Sequence, residues 1–179
     1  LSGEQPSAKA DAIQLDGQPI ASMDAVGRRN LGLCAVPEER NGHGAVVDFS
    51  LTDNAILTAR ERMGLASSGI LKGGVAATYT SKVIDDFAVK TTGPGSLAGS
   101  LSGGNLQKFI MGREILQDPE VLIVSQPTWG VDAGAAAAIH QALVDLAENG
   151  SAIVVISQDL DELLAISDRM AVINEGRLS

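Results

Sequence analysis

Leu101-Ser102-Gly103-Gly104-Asn105-Leu106-Gln107-Lys108 turns a loop sharply into a helix. Two glycines stand directly before the periodic series Leu106, Phe109, Ile110 and Ile115, with Ser102 at the capping position. The first turn of a helix carries unpaired N–H groups and the positive end of the macrodipole, and glycine lets an anion approach the backbone closely. Alone, the run has two readings: an ordinary helix start capped by serine, or a turn that meets a phosphate. The rest of the chain separates them.

The chain has 179 residues, 45% of them apolar and only 3% aromatic. That length suits one domain, or one core with an inserted subdomain. A core drawn from Leu, Ile, Val and Ala favours strands covered by Ala-rich helices. The net charge is −9, from 13 basic and 22 acidic residues, and the basic residues are scattered, so there is no electrostatic footprint for nucleic acid and little attraction to anionic lipid. Apolar runs such as 153–156 fall far short of the roughly 18 residues of a membrane span. Service to a membrane would go through a partner. The single Cys34 lies in the apolar run Leu31-Gly32-Leu33-Cys34-Ala35-Val36 and reads as a small core residue of a protein from a reducing cytoplasm. A chain opening on Leu1 rather than Met reads as processed or as a piece of something longer.

Residues 12–20 alternate around Asp16-Gly17, a hairpin signal, and residues 24–30 read as a short helix ending in Arg28 and Arg29. The strand 31–36 then empties into the polar loop Pro37-Glu38-Glu39-Arg40-Asn41-Gly42-His43-Gly44, either a solvated loop or, since ligands sit off the carboxyl ends of strands in open α/β sheets, part of a site. From Ser50 to Gln117 the patterning is helical, with a Gly-rich, mobile link expected at 66–74 and a connecting loop at Gly93-Pro94-Gly95-Ser96. Val121-Leu122-Ile123-Val124 is a strand buried on both faces. An Ala-rich helix over 133–149, a second buried strand at 152–156, a helix with Leu160, Leu163 and Leu164, and a last strand at 170–173 complete a parallel α/β rhythm.

Four features now stand in order: the Ser-Gly-Gly helix start, a strand ending in Gln126-Pro127-Thr128, the run Gly130-Val131-Asp132, and a strand ending in Ser157-Gln158-Asp159. Together they resemble the nucleotide-binding domain of ABC transporters, over almost the whole chain. The likeness is strongest to the second such domain in the tandem ATPase subunit of bacterial importers for simple sugars and nucleosides. The resemblance implies an α/β, P-loop NTPase-type (RecA-like) parallel sheet with an inserted helical subdomain: residues 1–49 and 119–179 as the ATPase core, and 50–118 as the helical part. It makes 101–105 the signature motif, with Ser102, Gly103, Gly104 and Asn105 contacting ATP. Residues 121–126 become the Walker B strand, Gly130 to Asp132 the D-loop, Gln158 the switch position that normally holds histidine, and Glu38 the glutamine position of the Q-loop. It also implies ATP and Mg2+ at an assembled dimer, a second nucleotide-binding domain and transmembrane permease subunits as partners, and a place on the cytoplasmic face of the membrane.

Departures from the pattern carry the mechanism. No G-x-x-x-x-G-K-[ST] string occurs; Leu1-Ser2-Gly3-Glu4 resembles the segment after the Walker A helix, so the chain is expected to begin where that helix ends. The Asp-Glu pair that closes the Walker B strand in the family is replaced by Ser125 and Gln126. Magnesium prefers carboxylate oxygens, and an amide has no basic lone pair at neutral pH. The switch histidine is replaced by Gln158. This chain's own site is therefore expected to lack catalytic residues and metal ligands. In the family two domains close head to tail, and the signature of one meets the ATP of the other. The expectation is that the 102–105 turn serves a partner's site, that ATP hydrolysis belongs to the assembled transporter, and that the isolated chain is inactive. The alternative is a non-catalytic regulatory or scaffolding module.

Other residues carry quieter readings. Trp129 is an interface anchor or packs on the neighbouring helix. His140 reads as a surface residue, and His43 is too distant to pair with it on a metal. Asp159, Asp161 and Glu162 read as favourable charge at a helix start, and Glu38 as a sensor of metal and permease or as a solvated carboxylate.

Overall fold

The computed structural model describes residues 1–7, 9 and 11–179. Asp16 and Gly17, at φ 46° and 77°, turn the chain between β1 (Gln14–Leu15) and β2 (Gln18–Pro19), the expected hairpin. Asp24 caps α1 (Ala25–Asn30), accepting from the Gly27 N–H at 2.8 Å. Within α1 the buried Arg28 donates to the carbonyls of Leu1, Ala21 and Met23 and so ties the first residues to the body. β3 (Leu33–Val36) leads through the 37–44 loop to α2 (Leu51–Ala59), whose first turn is capped by Ser50. The 66–74 segment is not a structureless link. It contains a second hairpin, β4 (Ala66–Ser67) and β5 (Ile70–Leu71), turned by Ser68 and Gly69 at φ 51° and 78°. α3 (Gly73–Asp86) and α4 (Gly103–Ile115) follow. The chain continues through β6 (Val121–Ser125), α5 (Ala133–Glu148), β7 (Ala152–Ile156) and α6 (Leu160–Ile166).

The three longer strands form a parallel sheet in the order β3-β6-β7, with Val36 beside Val124 and Val124 beside Val155. Parallel register puts Cys34, Val36, Leu122 and Val124 on one face, all buried, together with the partly buried Ile153 and Val155. Phe109, Ile110 and Met111 of α4 and Ile139 and Leu143 of α5 share their core. Burial pushes the Cys34 thiol up to about 12, as befits a core residue rather than a nucleophile. The expected second buried strand is instead half-open: on the other face of β7, Val154 and Ile156 are 43% and 50% exposed. An apolar run reads the same whether one or both faces are covered, and periodicity cannot tell them apart. The last strand also differs. β8 (Ile173–Asn174) does not join the parallel sheet but pairs antiparallel with β9 (Arg177–Leu178). Glu175 and Gly176, at φ 48° and 74°, fold the chain straight back, so its backbone groups pair locally.

A buried ion network fixes the far end of α4. Glu114 is fully buried and accepts from Arg29 at 2.6 Å and Arg113 at 2.8 Å. Arg113 also donates to the carbonyls of Asn54 and Gly44, and its own carbonyl accepts from the Tyr79 hydroxyl at 2.6 Å. Burial alone would raise the Glu114 pKa, but the Arg113 and Arg29 guanidiniums outweigh it and hold the carboxyl below its usual range. The contribution of Glu114 is thus present above an ordinary carboxylate pKa of about 4.3 and disappears as pH falls through the depressed folded value. Glu114→Leu leaves the buried Arg113 and the partly buried Arg29 without their counter-ion and is expected to cost about 3–5 kcal/mol. Urea denaturation at pH 7 measures this, and below pH 4 the gap between wild type and variant should narrow.

Candidate functional site

Because β3, β6 and β7 are parallel, the loops 37–44, 126–132 and 157–159 all leave one edge of the sheet, the side on which open α/β sheets place ligands. The 102–105 turn faces the 126–132 loop: a methyl group on Gly104 would stand 3.0 Å from the Gly130 carbonyl oxygen. Ser102 is the N-cap of α4, its hydroxyl accepting from the Asn105 side-chain amide at 2.9 Å and, more loosely, the Asn105 N–H at 3.4 Å. The Asn105 side-chain oxygen Oδ1 accepts from the Lys90 N–H at 2.8 Å, which pins that side chain to the preceding segment. Among the described residues the N–H groups of Gly103 and Gly104 have no acceptor. Ser102 and Gly103 are exposed. Two free donors at the positive end of a helix of 13 residues form a turn whose chemistry fits a phosphate oxygen.

The other candidates lie at the strand ends. Ser125 closes β6, and Gln126, 7% exposed, takes the left-handed conformation at φ 51°. Its N–H donates to Ile156 at 2.8 Å, its side-chain oxygen lies 3.5 Å from the Ser157 hydroxyl, and its carbonyl accepts from Gln107. Gln107 also donates to the Pro127 carbonyl at 2.9 Å, so the second turn of α4 holds the β6 exit loop. Ser125 and Gln126 offer neutral hydroxyl and amide oxygens and no carboxylate, the group through which magnesium is usually held. Asp132 caps α5, accepting from Ala135 at 2.9 Å, and that backbone hydrogen bond holds its carboxyl below the usual range. Glu38 and Gln158 are both exposed.

Residues of lesser note in the sequence turn out to join these loops. Arg40 Nη1 donates to the Gly103 carbonyl at 3.0 Å and the Trp129 carbonyl at 3.1 Å. Trp129 itself is 62% exposed. His140 is not a free surface residue: three-quarters buried, it lies 2.9 Å from Glu162, which also accepts from the Thr128 hydroxyl at 2.6 Å. Glu162 is 6% exposed and so does more than complement a helix dipole. Its acidic neighbour Asp159 does cap α6, accepting from the Glu162 N–H. Only tertiary contact reveals the cluster, because His140, Thr128 and Glu162 are far apart in sequence. His43 pairs with Glu39 at the surface.

No family model matches the chain. It superposes on an ATP-binding cassette, MJ0796, solved as a dimer in a post-hydrolysis state with ADP and Pi, with a TM-score of 0.74 and 18% identity over 92% of this chain and 71% of that one. It superposes equally, with a TM-score of 0.74 and 18% identity, on a nucleotide-free ATP-binding cassette from an ABC transporter, over 99% of this chain and 70% of that one. The fold is that of an ATP-binding cassette. In sequence the chain is 36% identical to the guanosine import ATP-binding protein NupO of Bacillus subtilis (strain 168), over 93% of its own length and 32% of that protein. It is 35% identical to the ribose import ATP-binding protein RbsA of Lactococcus lactis subsp. cremoris (strain SK11), over 96% of itself and 34% of the relative. The chain spans about a third of the length of these curated relatives. It is homologous, along nearly its whole length, to ATP-binding proteins of sugar and nucleoside import, and the resemblance read from the motifs stands.

The Glu162 cluster yields a measurable consequence. Burial would raise the Glu162 pKa, but hydrogen bonds from His140, Ser157 and Thr128 lower it below the usual carboxylate range. Thr128→Val removes a hydrogen bond to a charged acceptor and is expected to destabilise the fold by about 1.5–3 kcal/mol. The deficit should be full at pH 7 and fade as Glu162 protonates below about pH 4, which urea titrations at the two pH values would read.

Proposed function

We propose that this chain is part of the ATP-binding subunit of an importer for a simple sugar or nucleoside, and that its 102–105 turn completes an ATP site held on a partner domain while its own site is degenerate. One observation carries the reading: a helix start with two free N–H donors sits beside a strand that ends in Ser125 and Gln126 instead of carboxylates. In such an assembly the Gly103 and Gly104 N–H groups and the Ser102 hydroxyl donate to a γ-phosphate across the closed interface. Stabilising the charge that develops there is the main catalytic term in phosphoryl transfer. Closure also excludes water from the phosphate chain, which strengthens each of these donors. Asp132 and the 126–132 loop, backed by Gly104, shape the same interface. ATP and Mg2+ are then bound chiefly by the partner's residues. Hydrolysis there reopens the pair and drives permease subunits at the cytoplasmic face of the membrane. No helix of the described residues is long and apolar enough to cross a membrane.

In the assembled transporter, Ser102→Ala is expected to lower ATPase at least tenfold and Gly103→Asp to abolish it, because the latter puts a carboxylate where a phosphate must come. Gln126→Ala should leave the rate within about twofold. A phosphate-release assay on the three variants decides: equal tolerance of all of them removes the division between a working and a degenerate site. A separate prediction concerns the chain by itself. Calorimetric titration with ATP is expected to show no saturation at micromolar levels, since a glycine-rich P-loop is the usual source of phosphate contacts. If ATP does not tighten association with a Walker A-competent domain, the scaffolding reading is the correct one.

A further inference from the structure

We propose that Arg40 is a positioning residue that clamps the 102–105 turn to the 126–132 loop and so sets the direction in which the turn presents its donors. The inference rests on the proposed trans role of that turn. A single guanidinium nitrogen, Nη1, bridges the Gly103 carbonyl at 3.0 Å and the Trp129 carbonyl at 3.1 Å. These two residues are far apart in the chain and belong to the two loops that would face a partner's nucleotide. The guanidinium lies against both glycines: a methyl group at Gly130 would stand 3.3 Å from Nη1, slightly tighter than ordinary contact, and one at Gly103 would stand 3.4 Å away, in van der Waals contact. Arg40 thus fills a slot whose two walls are the signature turn and the loop that leads to Asp132.

The clamp is anchored at its base. The Arg40 carbonyl accepts from the Ala45 N–H at 2.7 Å, Gly44 donates to the Glu39 carbonyl at 2.9 Å, and the Gly44 carbonyl accepts from the buried Arg113 at 2.9 Å. Arg113 belongs to the same helix that Gly103 begins, so α4 is gripped by the 37–44 loop at both ends. Displacement of that loop, which leaves the end of β3, would reach the 102–105 turn directly through the Arg40 side chain and the far end of α4 through Arg113. A charge-only role is a different matter, because a guanidinium near the turn would also raise the local positive potential. Lysine keeps the charge and can still donate to both carbonyls, whereas alanine does neither.

The test uses the full subunit assembled with its partner domain and permease, carrying Arg40→Ala, Arg40→Lys, or Arg60→Ala as a control that removes an exposed arginine from α2's end. Arg40→Ala is expected to lower kcat about tenfold with KM for ATP within about twofold, since a misplaced donor weakens the transition state more than the ground state. Arg40→Lys should recover to within about threefold, and Arg60→Ala should match wild type. Hydrogen exchange reads the clamp directly: in Arg40→Ala the Leu106, Trp129 and Val131 amides should exchange about tenfold faster, with Phe109 and Ile110 unchanged. Unchanged exchange at those three amides overturns the proposal. So does loss spread evenly through α4, which would mean a merely structural role, and so does an Arg40→Ala kcat equal to that of Arg60→Ala. If Ser102→Ala also leaves ATPase intact, the trans reading fails, and the exchange result alone then decides whether the clamp exists.

Discussion

The contact on which most of this fold depends is the buried Arg113–Glu114–Arg29 cluster at the end of α4. Two guanidiniums and a carboxylate out of water are tolerable only when each remaining donor finds an acceptor. Here they do: Arg113 reaches the Asn54 and Gly44 carbonyls, and the Gln117 amide completes the Glu114 carboxylate. The result is a single node that α1, α2, α3, α4 and the 37–44 loop share. Breaking it would not remove one interaction but would leave uncompensated charge in the centre of five segments. That makes the node a specifier of arrangement more than a source of net stability.

From this node the 102–105 turn acquires its orientation. Helix α4 is held at its carboxyl end by the ion cluster, along its length by Phe109, Ile110 and Met111 in the core, and near its start by Gln107 on the Gln126 and Pro127 carbonyls. Little freedom remains for the first turn except what the adjoining loops allow. Donors aimed at a phosphate are useful only when preorganised, because reorientation at the moment of reaction would consume the stabilisation they offer. A turn fixed by packing behind it and by neighbouring carbonyls beside it meets that requirement without any side chain of its own touching the core.

Much of this was legible in the sequence because it rests on local chemistry. Ser102 caps its helix as one reading of the sequence had it, and Asp24, Ser50, Asp132 and Asp159 cap theirs at the starts of the expected helices, since capping involves only neighbours within one turn. Asp16-Gly17 announced its hairpin for the same reason. Ser68-Gly69 makes an equivalent turn but was hidden in a Gly-rich run, where composition suggests flexibility and the short strands carry too few residues to show alternation. What could not be read was pairing at a distance. Nothing about His140 on an Ala-rich helix points to Glu162, and nothing about Arg40 in a charged loop points to the Gly103 and Trp129 carbonyls. The half-open face of β7 was equally silent, because hydrophobic patterning reports what a residue could bury and not what covers it.

The division of labour proposed for the site follows from what each part is made of. The donors at the 102–105 turn are main-chain groups, so no side-chain replacement elsewhere removes them; only a change in the path of the backbone can. That path is held by the close approach of Gly104 to the Gly130 carbonyl and by the node behind α4. Catalytic carboxylates at the end of β6 would be single side chains, and their replacement is structurally easy. Gln126 shows how: its amide is nearly buried, lies beside Ser157, and keeps its backbone bonds to β7 and α4 intact. A sheet edge can therefore lose its acids without losing its shape, while the helix start opposite keeps its donors for as long as the fold stands. In the proposed reading, a turn kept beside replaced carboxylates follows from that difference between main-chain and side-chain chemistry.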